Sequence, residues 1–176
     1  DRHACDLIAA FKQDAEKLRY DDWDDLVGYC NLSAAPVGRY LLDLHGEDPA
    51  DYAASDPLCN ALQVLNHLQD LKEDYLELDR VYLPGDWMEQ NGVTIPDLAS
   101  DVASAGLRVV IDKALDGVDE MMARARTLPG RLKSRRLAME SAVIVRLADR
   151  LCELLRAGDP IAGRVALKKA DFMGCG

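Results

Sequence analysis

The chain is 176 residues long, with 31 acidic against 21 basic side chains and a formal net charge of −10 at pH 7. That length suits a single domain with one core, and the acidic balance argues against gripping a nucleic-acid backbone while leaving local capture of cations open. No run approaches the ~18 to 20 apolar residues of a membrane span and no leader-like pattern opens the chain, so a soluble, cytoplasmic protein is expected.

Leu7, Ile8, Phe11, Ala15 and Leu18 recur at helical spacing and form the apolar stripe of a first helix. A second helix, capped by Asp21 or Asp22, buries Trp23, Leu26, Val27 and Cys30. The run SAAPVGRYLLDLHG breaks at Pro36, restarts with Val37, Leu41 and Leu42, and closes at Gly46. DPADYAASDP reads as a turn-rich connection before an amphipathic helix through Leu58, Leu62, Leu65 and Leu68 to about Leu78. Pro84, Gly85 and Gly92 punctuate a loop, IPDLASD reads as a short helix, and 104–126 as a long one. After Pro129 and Gly130 a last long helix over 131–157 buries Leu132, Val143, Leu147, Leu151 and Leu154, followed by a turn and one short helix. No segment alternates with period two, so the fold class is all-α, a bundle of about six helices or more. The five cysteines, Cys5, Cys30, Cys59, Cys152 and Cys175, lack CxxC spacing and read as reduced thiols, with no disulfide or zinc site.

Within NHLQDLKEDYLELDRVYLP, residues 66–84, Asn66, Asp70 and Asp74 recur every four residues, and Gln63 shares their face. Like charges at that spacing repel by roughly a few tenths of a kcal/mol on a helix, so either water or a cation must screen them. A solvated acidic face is the plain reading. The amides of Gln63 and Asn66 favour the other, because they add oxygen ligands without adding charge. Mg²⁺ takes oxygen ligands, keeps several waters and is commonly held by one or two carboxylates with a substrate phosphate, so the row reads as half of a diphosphate site. Arg80 has two readings, a phosphate partner or an ion pair with Asp79 or Asp74. Tyr29 reads as core or as a hydroxyl aimed at a developing cation, and Gly38 as a helix kink or a close approach to a ligand. His3, His45 and His67 show no ligand spacing.

ALQVLNHLQDLKEDYLELDRVYLP, over 61–84, resembles the second aspartate-rich motif of the squalene/phytoene synthase family, and YCNLSAAPVGRYLLDLHGED, over 29–48, looks like the helix and break that precede it there. SAAPVGR with NHLQD is most similar to the bacterial hopanoid-pathway branch. The resemblance implies an isoprenoid-synthase helical bundle, Mg²⁺ as cofactor, and presqualene or farnesyl diphosphate as substrate. It places Asn66, Asp70 and Asp74 as metal ligands and Gln63 as a substrate contact. Tyr29, Ser33, Val37 and Gly38 would line the prenyl cavity, and Arg80 and Tyr82 would close over the diphosphate end.

That family carries two aspartate-rich motifs and only one is found here; DWDD at 22–25 lacks the context to replace the other. Residues 1–176 are therefore expected to be the C-terminal part of one synthase domain, an incomplete bundle inactive alone. The expected reaction is presqualene diphosphate to hydroxysqualene with loss of pyrophosphate, the alternative being head-to-head condensation of two prenyl diphosphates. A reading of another class is a non-catalytic assembly factor, which would have no reason to keep the acidic row in register. The basic stretch RARTLPGRLKSRR, 124–136, reads first as a solvated helix junction and second as a peripheral contact with anionic lipid; no basic amphipathic helix advertises such contact.

Overall fold

The computed structural model describes residues 2–173. Cys175 lies outside these, and Cys5, Cys30, Cys59 and Cys152 are free thiols. Nine α-helices are described: α1 Arg2–Glu16, α2 Trp23–Ser33, α3 Ala35–Leu44, α4 Tyr52–Gln69, α5 Leu71–Leu78, α6 Gly85–Gln90, α7 Ala105–Ala125, α8 Arg135–Ala157 and α9 Lys169–Met173. Short 3₁₀ turns at Pro49–Asp51, Ile95–Ala99 and Leu128–Gly130 join some of them. Among the described residues there is no strand, only an isolated parallel bridge between Tyr20 and Pro84.

Side-chain caps set several of the starts. Asp22 accepts from the Asp25 N–H, Ser104 from Leu107 and Ser134 from Leu137. The break between α2 and α3 falls at Ala34, two residues before the expected Pro36, because Pro36 sits in the first turn of α3 where a missing N–H costs nothing. The expected turn over 48–57 is largely helix. Asp48 caps a 3₁₀ turn that runs into α4, and Pro57 lies in the second turn of α4. Val143 was expected inside, yet α8 buries Leu137, Val145, Leu151 and Leu155 and leaves Val143 37% exposed.

α4 is the central helix. It buries residues along its length, including Leu58, Ala61, Val64, Leu65 and Leu68, and packs most extensively on α7, then on α3 and α8. Gly38 belongs to that packing: a Cβ there would lie 2.5 Å from Cys59 Sγ and 2.6 Å from Ser55 Oγ, so the missing side chain lets α3 approach α4 rather than a ligand. Gly117 plays the same part in α7. A Cβ there would lie 2.3 Å from the ring of Trp23, which stacks on Trp87 at 5.3 Å, with Lys113 over Trp87 at 4.2 Å. Gly117→Ala is expected to destabilise the chain by roughly 1–3 kcal/mol despite alanine's better helix propensity, because the ring must move. Urea denaturation followed by tryptophan fluorescence checks this, and an unchanged midpoint would show that the ring has room.

One face of the bundle lacks cover. Ile8, Phe11, Val37, Tyr40 and Leu44, on α1 and α3, are each more than half exposed.

Candidate active site

The acidic row survives a helix break that its spacing did not foretell. Asp70 ends α4 and starts α5 with φ −101° and ψ 12°, outside the helical basin. The Asp70 N–H nevertheless donates to Asn66 O at 3.0 Å and the Asp74 N–H to Asp70 O at 2.7 Å, so the four-residue rhythm carries across the joint. Gln69, one residue before the joint, donates to Val165 O at 2.6 Å and ties the break to the segment after α8.

From that segment Arg164 brings Nη2 to 3.0 Å from Asp70 Oδ1. The oxygen is buried and makes no hydrogen bond, so the contact is coulombic. Asp74 is half-buried; burial, and then the charge of Asp70, raises its pKa to about 6, while Arg80 acts against the rise.

The loop after α5 supplies the cationic and aromatic side of the site. Its backbone is laced to the segment after α1: the Val81 N–H donates to Leu18 O at 3.0 Å and the Gly85 N–H to Tyr20 O at 2.9 Å. This brings Tyr20, Tyr29, His67 and Tyr82 together from four parts of the chain. His67 stacks on Tyr82 with centroids 3.5 Å apart and planes 10° apart, and Tyr20 stacks on Tyr82 at 5.7 Å. Tyr29 lies 6.1 Å from Tyr82 and 6.2 Å from His67.

Arg80 does not pair with Asp79, which Arg19 holds instead through its side chain and carbonyl. Arg80 donates to Asp14 O at 3.0 Å and to the Tyr82 hydroxyl at 3.5 Å, with no ion pair among the described residues. Burial, with the nearby Asp14 carboxylate, pushes the Tyr29 phenol above its usual range, and Ser33 acts the other way. Burial, then the charge of Arg80, depresses His67 to about 3, which keeps the imidazole neutral. His67 Nε2 lies 3.1 Å from the Gln63 amide nitrogen; the ring nitrogen accepts and so carries no proton.

Buried polar atoms that make no hydrogen bond cluster here, although Asp70 Oδ1 faces Arg164. Asp14 Oδ1, Tyr20 OH, Ser33 Oγ and Asp70 Oδ1 are four of the six such side-chain atoms among the described residues. Each costs on the order of 1–3 kcal/mol unless something binds it.

The fold therefore gathers Tyr29, Ser33, Asp70, Asp74, Arg80 and Tyr82, with Gln63 attached through His67. It does not gather Val37, 56% exposed on the open face, or Gly38, spent on helix packing. Asn66 is exposed at the head of the row. Asp14, Tyr20, His67 and Arg164 belong to the site and carried no motif that would have singled them out.

Among the described residues no three His, Cys, Asp or Glu side chains form a metal-holding group. Asn66, Asp70 and Asp74 offer two carboxylates and an amide, which suits one wall of a Mg²⁺ site completed by water, phosphate oxygens and ligands from elsewhere. An apolar cleft of about 520 Å³, lined by Tyr20, Val81, Leu83, Met88, Val93 and Ile95 among others, lies behind the aromatic cluster.

A family model described as squalene/phytoene synthase matches residues 1–171. Hydroxysqualene synthases of Rhodopseudomonas palustris and Zymomonas mobilis are each 42% identical over 172 residues, 98% of this chain and 59% and 58% of theirs. The crystal structure of squalene synthase HpnC from Alicyclobacillus acidocaldarius superposes with a TM-score of 0.82 at 34% identity, over 89% of this chain and 59% of that one. The chain thus spans less than two thirds of the relatives it matches.

Proposed function

Because the chain belongs to the squalene/phytoene synthase family, we propose that it is the C-terminal part of an enzyme that ionises an isoprenoid diphosphate and releases pyrophosphate, with presqualene diphosphate as substrate and hydroxysqualene as product. The observation that carries this is the acidic row beside Arg80, with a buried Asp70 oxygen that accepts no hydrogen bond and an Arg80 guanidinium that makes no ion pair among the described residues. A diphosphate brings the negative oxygens that Arg80 and Arg164 can face, and a divalent cation the charge that Asp70 and Asp74 require.

In this reading the C–O bond to diphosphate breaks with its electron pair leaving on pyrophosphate. The carbocation rearranges, water adds its oxygen, and a proton departs. Mg²⁺, when bound, neutralises the leaving group. Arg80, held by Asp14 O and the Tyr82 hydroxyl, orients the diphosphate, while Asp70 and Asp74, with Asn66, would hold the cation. Tyr29 and Tyr82 present ring faces and hydroxyls to the developing cation, and their apolar surround limits stray water.

The missing second carboxylate wall and the open α1–α3 face both fit a longer polypeptide whose remaining helices complete the bundle, with substrate and product meeting a membrane surface. Residues 1–176 alone are then expected to show no turnover.

The test uses the full polypeptide with presqualene diphosphate and Mg²⁺. Hydroxysqualene formed without NADPH supports the reading, whereas squalene formed only with NADPH would move the enzyme to the head-to-head branch. Calorimetry with a non-reactive farnesyl diphosphate analogue adds a check independent of turnover. Binding should require Mg²⁺ and disappear in Asp70→Asn/Asp74→Asn; metal-independent binding in that variant would return the row to a solvated helix face.

A further inference from the structure

Asp14 is the carboxylate of the site that the acidic row does not account for. It lies on α1, outside that row, and its charge is felt by Tyr20, Tyr29, Tyr82 and Arg80 alike. Arg80 donates to its backbone carbonyl at 3.0 Å and not to its carboxylate. Asp14 Oδ1 is buried and makes no hydrogen bond, and the same holds for Tyr20 OH and Ser33 Oγ. All three groups surround one side chain: Asp14 and Ser33 flank the Tyr29 hydroxyl, and the Tyr20 ring, 2% exposed, lies 5.4 Å from that of Tyr29.

These atoms ask for complementary partners. A carboxylate oxygen only accepts, whereas a phenol and an alcohol both donate and accept; water, with two donors and two acceptors, satisfies such a set. Addition of water to a carbocation makes the same demand, because it needs an oxygen lone pair held toward the cation and a base on one of the protons. Asp70 and Asp74 are poorly suited to be that base, since in the isoprenoid reading they are engaged with the metal.

We propose that Asp14 takes the proton of the water that ends the reaction, with Tyr20 and Ser33 holding that water in place. The role rests on the isoprenoid reading. A lone pair of the water forms the C–O bond to the carbocation, one O–H bond breaks with its electron pair staying on oxygen, and the proton passes to the Asp14 carboxylate and from there to solvent. Diphosphate ester and water thus become alcohol, pyrophosphate and one proton. The rival base is the pyrophosphate just released.

The test follows pyrophosphate and the C30 products separately, in the full polypeptide supplied with presqualene diphosphate and Mg²⁺. In Asp14→Asn, pyrophosphate release should stay within a few-fold of the parent, because ionisation precedes the water step. The ratio of hydroxysqualene to hydrocarbon formed by proton loss from the cation should fall by roughly 100-fold or more, the range for a lost general base. Arg80 keeps its backbone contact in that variant. Tyr20→Phe removes a hydroxyl that has no hydrogen bond within the protein, so it should keep or raise the melting temperature while lowering the same ratio several-fold; it reads the water step even where Asp14→Asn fails to fold. An unchanged ratio in either folded variant would leave the proton to pyrophosphate and overturn the assignment. Pyrophosphate and alcohol falling together at a constant ratio would also overturn it, because that is the mark of a structural role. Failure of the isoprenoid reading shows in the parent, as no hydroxysqualene at all, whereas failure of the Asp14 role shows only in the variants.

Discussion

Asp74→Asn is expected to make the metal-free chain more stable at pH 7.5 while cutting turnover of the full enzyme by roughly two to three orders of magnitude, the range seen when a preorganised charge-stabilising group is lost. Both effects follow from one fact: burial and the neighbouring Asp70 raise this carboxyl to about 6. The folded state holds the proton more tightly than the unfolded state does. Between about pH 4 and 6 the unfolded carboxyl ionises first, so the wild-type chain loses stability as pH rises through that window. A shift of about two units is on the order of 2 kcal/mol once partial exposure is allowed for, and asparagine removes the penalty. Urea midpoints of the two proteins should converge near pH 4 and separate above 6. A variant less stable at pH 7.5, or one with parent turnover, would mean that Asp74 is not a strained ligand.

Acidification should act through His67 in the opposite sense and more strongly. Burial depresses this imidazole to about 3, whereas in the unfolded chain it takes a proton near 6.5. The folded state binds the proton less tightly, so the stability it contributes is present above 6.5 and is lost as pH falls. By pH 4 the loss is roughly 3 kcal/mol, a large share of the 5–15 kcal/mol typical of a domain. His67→Phe keeps a flat ring against Tyr82 and cannot ionise; Gln63, half-buried, can turn to water. The variant should be the less stable protein at pH 7.5, where the Gln63 contact is missed, and the more stable one at pH 4. Parallel pH profiles for variant and parent would show that the imidazole does not govern the acid limb.

The acidic row was legible because a four-residue rhythm is written in consecutive sequence, and the backbone bonds through Asn66, Asp70 and Asp74 preserve it across a joint. The joint itself was not legible. The run LKEDYLEL follows Asp70 without Gly or Pro, and what fixes the break is Gln69 reaching Val165, far along the chain. Arg80 reads from sequence as a partner of phosphate or of two aspartates, and Arg19, from the segment after α1, removes one of them by taking Asp79. Gly38 invited a ligand-approach reading because sequence shows that a side chain is missing, not what fills the space; Ser55 and Cys59 fill it.

The lacing of Val81 to Leu18 and of Gly85 to Tyr20 has a kinetic consequence. Arg80 and Tyr82 reach their places only when two stretches some sixty residues apart in the chain lie side by side, and closing so long a loop is slow relative to forming α4 or α7. The cationic end of the pocket is thus a late-assembling seam rather than part of the folding nucleus. The amide hydrogens of Val81 and Gly85, which are absent from any helix ladder, should exchange with solvent sooner than those of α4. They give a clock on the pocket that can be read without substrate.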